Sequence, residues 1–81
     1  MNDNMKKYLE VFETMFQVDE AKAKTLNYQD VVAWDSIGHM DLIATLEDTF
    51  DIEMETNDII DFNSFAKGVE ILKKYGIDLG E

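Results

Sequence analysis

The chain has no cysteine, no proline and no arginine, and only one histidine, His39. Without cysteine there is no disulfide staple, no thiolate nucleophile and no cysteine zinc site. Three of the four glycines fall within the last fourteen residues, and no low-complexity linker, repeat or second domain is visible. The expectation is a single domain over residues 1–81. No apolar run approaches the roughly 18 residues that a bilayer span requires, so no membrane insertion is expected. The amino end, Met1-Asn2-Asp3-Asn4, lacks the basic start and apolar stretch of a signal peptide, which makes the cytoplasm the expected location. Basic residues are scarce: seven lysines face eighteen acids, a formal net charge of −11. That balance argues against nucleic acid, where cations must displace counterions, and against anionic lipid surfaces. It suits a basic protein partner instead, because opposite fields speed encounter.

With 81 residues, of which 46% are hydrophobic and 31% charged, the chain should fold into one small globule. Its core is thin, since a chain of this size buries only about 60% of its unfolded surface. Met5, Tyr8, Leu9, Phe12, Met15 and Phe16 recur at helical spacing, with Asp3 or Asn4 available to cap the start. Residues 19–24 can wind one helical turn within a long connection, residues 18–35. Leu26, Tyr28, Val31 and Val32 fit no single period there, and several of Tyr28, Val31, Val32 and Trp34 should pin the connection to the body. A second helix spans 36–50. A short third follows Thr56 as its cap, and a fourth follows Ser64, with Phe65, Val69 and Leu72 on one side and Gly76 in its final turn. Nothing alternates at period two. The expected fold is all-α, a four-helix bundle with a long first loop and a short third helix.

The second helix carries two apolar faces. At about 100° per residue, His39, Leu42, Ile43, Leu46 and Phe50 fall in one sector, the core stripe. Ile37, Met40 and Ala44 lie opposite, rimmed by Asp41, Glu47, Asp48 and Asp51. A bundle helix needs one buried face, so the second suggests docking of an apolar, basic partner. Scattered exposed apolar side chains are also ordinary, and both readings stand at this point. Met40 leans toward docking, because methionine adapts to several partners.

Three groups of residues could carry chemistry. His39 stands three residues after Ser36, the spacing of a nucleophile and its base, but its direction is toward the core and no third group orients it. A packed structural histidine fits better than a hydrolase. Asp51, Glu53 and Glu55 have the opening spacing of a calcium loop, yet Thr56 and Phe62 occupy the positions that require Gly and Glu. No metal site is expected beyond weak surface binding of divalent ions. Asp35-Ser36 opens a helix, where either residue can serve as the N-cap. A hydroxyl there is also exposed, and a phosphodiester attached to it would face free N–H groups and the positive dipole end.

The stretch Trp34-Asp35-Ser36-Ile37-Gly38-His39-Met40-Asp41-Leu42-Ile43-Ala44-Thr45-Leu46-Glu47-Asp48-Thr49-Phe50-Asp51-Ile52 resembles the acyl carrier proteins. Their hallmark is Asp-Ser-Leu followed by an acidic helix with apolar positions, ending in Glu-x-x-Phe. The resemblance extends to the first helix, the long loop and the two later helices. It implies a carrier that is not an enzyme and that works as a monomer. By the match, Ser36 would carry 4'-phosphopantetheine, added from coenzyme A by a phosphopantetheinyl transferase, and Asp35 would be its acidic neighbour. Ile37, Met40 and Ala44, with Asp41, Glu47 and Asp48, would meet partner enzymes that transfer, condense or adenylate acyl groups. The resemblance implies acyl cargo for fatty-acid or specialised acyl and polyketide synthesis. The alternative is an aminoacyl or peptidyl carrier loaded by an adenylating enzyme. Ala33-Trp34, Ile37, Gly38-His39 and Glu55 depart from the fatty-acid pattern, and the Trp-Asp-Ser-x-x-His run is more similar to stand-alone carriers of specialised pathways. An interaction module that keeps the fold without being modified is the remaining rival.

Overall fold

The apolar stripes become helices whose ends are closed by short polar side chains. The computed structural model describes residues 2–80. Asn2 Oδ1 accepts the Met5 N–H at 2.7 Å and starts α1 (Asp3–Phe16). This corrects the expected cap at Asp3 or Asn4. Asn2 and Asn4 also donate their side-chain amides to the Asp78 carbonyl, at 3.1 and 3.2 Å, so the two ends of the chain are joined. Asp19 caps α2 (Glu20–Lys24), the single turn that the sequence allowed. Then come α3 (Ser36–Phe50), α4 (Thr56–Asp61) and α5 (Phe65–Lys74). Thr56 lies inside α4; the residue before it, Glu55, makes no capping bond, so the expected Thr56 cap is not formed. Ser64 Oγ accepts the Lys67 N–H at 2.9 Å and caps α5 as expected. At the other end, Gly76 takes φ 83°, and Gly76 and Ile77 donate back to Lys73 and Leu72. Those bonds satisfy carbonyls that the helix leaves free. Among the described residues there is no strand, only an isolated antiparallel bridge between Asn27 and Ser64.

α1 lays Met5, Tyr8, Leu9, Phe12 and Phe16 into the core, and Met15 packs at its edge. α1 packs on α2 and α3, and α2 on α5. Each fully buried large apolar side chain stabilises the fold by about 1.5–3 kcal/mol. The centre is aromatic: Phe12 sits edge-on to Trp34 and Phe65, and Phe16 stacks on Trp34 at 5.2 Å. Tyr8 donates its hydroxyl to the Phe65 carbonyl at 2.7 Å, and burial pushes that phenol well above its ordinary pKa. A Cβ at Gly68 would run into the Tyr8 hydroxyl and the Phe62 ring, so only glycine lets α5 approach this closely.

Residues 25–35 are a tethered connection. Phe65 donates to the Leu26 carbonyl and Tyr28 to the Asn63 carbonyl, at 2.9 and 2.8 Å. Leu26 and Trp34 are buried, and Tyr28 and Val31 pack against the core, as their apolar character suggested. Val32 does not join them; it is 94% exposed.

Candidate functional site

The junction between the connection and α3 is built from backbone geometry. Asp35 Oδ1 accepts the Gly38 N–H at 2.8 Å, so Asp35 is the N-cap and Ser36 the first helical residue. Of the two caps open in the sequence, the structure uses the carboxylate. The Ser36 hydroxyl is thereby left out of the cap, and its residue is exposed. It stands at the positive end of a helix whose first N–H groups have no intrahelical acceptor. Gly38 makes this junction possible, because a Cβ there would collide with the Ala33 carbonyl. The glycine is needed for close approach of the loop and not for an unusual φ.

His39 joins three elements. Its Nδ1 accepts the Trp34 Nε1–H at 3.0 Å, and its Nε2 donates to the Ile59 carbonyl at 2.8 Å. Indole nitrogen is a donor only, so Nδ1 must be the unprotonated nitrogen and Nε2 carries the proton. The loop end, α3 and α4 thus meet on one imidazole. The expected structural role for His39 holds, and a Ser36–His39 pair does not form, because both ring nitrogens are already engaged.

Beside Ser36 runs an open groove of about 350 Å³ between α3 and α4, flanked by Tyr28, Met40 and Ile59, with buried Phe62 at its base. Met40 (55%) and Ile60 (70%), which line it, and Ile37 (80%), next to Ser36 in the chain, are exposed large apolar side chains. Of the face read from the sequence, Ile37, Met40 and Ala44 are exposed, as are Asp41 and Asp48. Leu42, Ile43 and Leu46 are buried on the other side, with His39 and Phe50 half-buried. Glu47 differs. It is half-buried, and its Oε2 accepts the Met54 N–H at 2.8 Å, which holds the turn after α3. Ile60, which lines the groove with Met40, was missed as a neighbour of this face. Ile59-Ile60 held a signal: adjacent helical residues are about 100° apart, so both rarely face inward.

α4 is held by a buried carboxylate. Asp58 Oδ1 receives Lys74 Nζ at 2.6 Å and Oδ2 receives the Tyr75 hydroxyl at 2.5 Å. Those bonds, Lys74 first, hold the Asp58 carboxyl below the usual carboxylate range. Among the described residues no three His, Cys, Asp or Glu side chains converge on a possible metal position. No helix among them is long and apolar enough to cross a membrane.

The chain is 31% identical over 70 residues to the acyl carrier protein of Lactobacillus johnsonii, a match covering 85% of this chain and 88% of that protein. No family model and no solved structure matches the chain. A relationship that spans nearly the whole of both chains, carried by an all-helical body with an exposed serine at the start of α3, shows that this chain belongs to the acyl carrier protein family.

Proposed function

We propose that the chain is a non-enzymatic carrier whose cargo is attached through 4'-phosphopantetheine on Ser36. The observation that supports this reading is the division of labour at the start of α3. Asp35 supplies the capping oxygen, which leaves the neighbouring hydroxyl exposed and free to form a phosphoester. The residues present fit such a group. The free N–H groups of α3 and its dipole favour a phosphodiester at Ser36, and an apolar groove adjoins it for the rest of an arm. When bound, that group supplies a thiol on which an acyl group is held as a thioester. The protein's own part is orientation and recognition.

Ile37, Met40 and Ala44 would form the apolar centre of a docking face, with Ile60 beside it and Asp41 and Asp48 steering a basic partner. Glu47 adds charge to this rim and braces the turn behind it. The partners are the phosphopantetheinyl transferase and enzymes that load or use the cargo. Each contact should be weak, since a carrier must leave one enzyme for the next, and charge steering gives fast arrival without a tight complex.

Incubation with coenzyme A and a broad-specificity transferase should raise the intact mass by one phosphopantetheine. Fragmentation should place it on Ser36, and Ser36→Ala should abolish it. Modification at Ser64, whose hydroxyl already caps α5, would overturn the assignment.

A further inference from the structure

The groove beside Ser36 is open to solvent, and beneath it a hydrogen bond from His39 crosses from α3 to α4. On one side the His39 Nδ1 accepts a hydrogen bond from the Trp34 indole N–H, and on the other its Nε2–H donates to the Ile59 carbonyl. The imidazole also lies nearly parallel to the indole and edge-on to Tyr28 and Phe62, at centroid distances of 6.2, 5.6 and 6.1 Å. Behind it the interior is filled. Trp34, Phe12, Leu42 and Leu46 have no exposure and Phe62 has 1%.

Resting on the carrier reading above, we infer that His39 bolts the α3–α4 seam, so that a group carried on Ser36 stays outside the bundle along the groove. The cargo is therefore a short or compact acyl or aminoacyl group, not a long alkyl chain. A long chain entering between α3 and α4 would part the His39–Ile59 bond and leave the imidazole N–H and the Ile59 carbonyl without their partner. A buried donor without a partner carries its full desolvation cost. The chain would also have to displace close-packed rings, which leave few voids. If instead it stayed outside, its far methylenes would remain in water and gain nothing from the protein. A compact group meets neither difficulty.

The test is a series of forms carrying acetyl-, hexanoyl- and decanoyl-4'-phosphopantetheine on Ser36. Their thermal midpoints are measured together with the NMR signal of the Trp34 indole proton. The wild-type chain should show one midpoint across the series and an unshifted indole proton. His39→Ala opens the seam, so its midpoint should climb from acetyl to decanoyl. A wild-type midpoint that climbs with chain length, or an indole proton that moves with it, overturns the inference and leaves the carrier reading intact. A flat series in folded His39→Ala removes His39 from the role. Should that variant not fold, the wild-type series still decides. A Ser36 that accepts no phosphopantetheine overturns both readings.

Discussion

Met40 and Leu46 lie on one helix, six residues apart, and face opposite environments. Leu46 has no exposure and Met40 has 55%. Truncating Leu46 to Ala removes core contacts and leaves a cavity, which costs about 2–5 kcal/mol. Met40→Ala removes mostly solvated atoms and should stay within about 0.5 kcal/mol of wild type. Denaturant melts of the two variants check this, and the reverse order would mean that α3 is turned the other way. The same residue-by-residue view separates the acids around Met40. Glu47 is bonded to the Met54 N–H, whereas Asp41 and Asp48 are exposed. Charge reversal at Glu47 therefore disturbs the turn as well as the field, and a clean test of steering belongs at Asp41 or Asp48.

α4 has only six residues and no side-chain cap, too short to be stable by itself. Two attachments hold it: the Ile59 carbonyl on His39, and Asp58 between Lys74 and Tyr75. Tyr75 extends the second, since its hydroxyl accepts the Glu55 N–H just ahead of the helix at 2.9 Å. Lys74 is largely exposed, so its ion pair alone contributes little, and the hydrogen bonds to the buried carboxylate matter more. The Asp58 carboxyl is depressed in the folded chain relative to the unfolded one. The unfolded chain therefore takes up the proton first as pH falls. This stabilisation is present above the unfolded carboxylate pKa of about 3.9 and disappears as pH drops through the lower folded value. Asp58→Asn should be less stable than wild type near neutrality, with the gap in thermal midpoint narrowing below about pH 4. A gap that is constant down the acid limb would show that the carboxylate charge is not what holds α4.

Taken whole, the molecule confines a net charge of −11 to a body with a radius of gyration of 11.4 Å. The Debye length at 0.1 M salt is about 10 Å, so at low salt the acids on opposite sides of the protein repel one another. Screening should relieve this, and the thermal midpoint should rise with added sodium chloride. A midpoint that falls as salt increases would mean that specific ion pairs outweigh general repulsion. The two ion pairs among the described residues, Lys24 with Glu20 and Lys74 with Asp58, are too few to expect that.

Much of this architecture was legible in the chain before any folding was considered. The α1 stripe, the two-faced α3, the Ser64 cap and the Gly76 turn depend on neighbours three to five residues apart, and helical geometry alone relates them. Asp35-Ser36 marked the helix start for the same reason, though which oxygen capped it was open. What remained hidden joins residues distant in sequence: His39 to Ile59, Asp58 to Lys74 and Tyr75, and Asn2 and Asn4 to Asp78. Carbonyls such as that of Ile59 carry no side-chain signature, and a histidine on a core stripe does not announce which backbone oxygen it will meet. The exposure of Val32 and Ile60 was hidden likewise, because an apolar residue declares a preference for burial but not whether packing leaves room for it. Local periodicity therefore decided the helices and located the serine. Close packing among helices decided which faces stayed free and whether the seam beside that serine is open or shut.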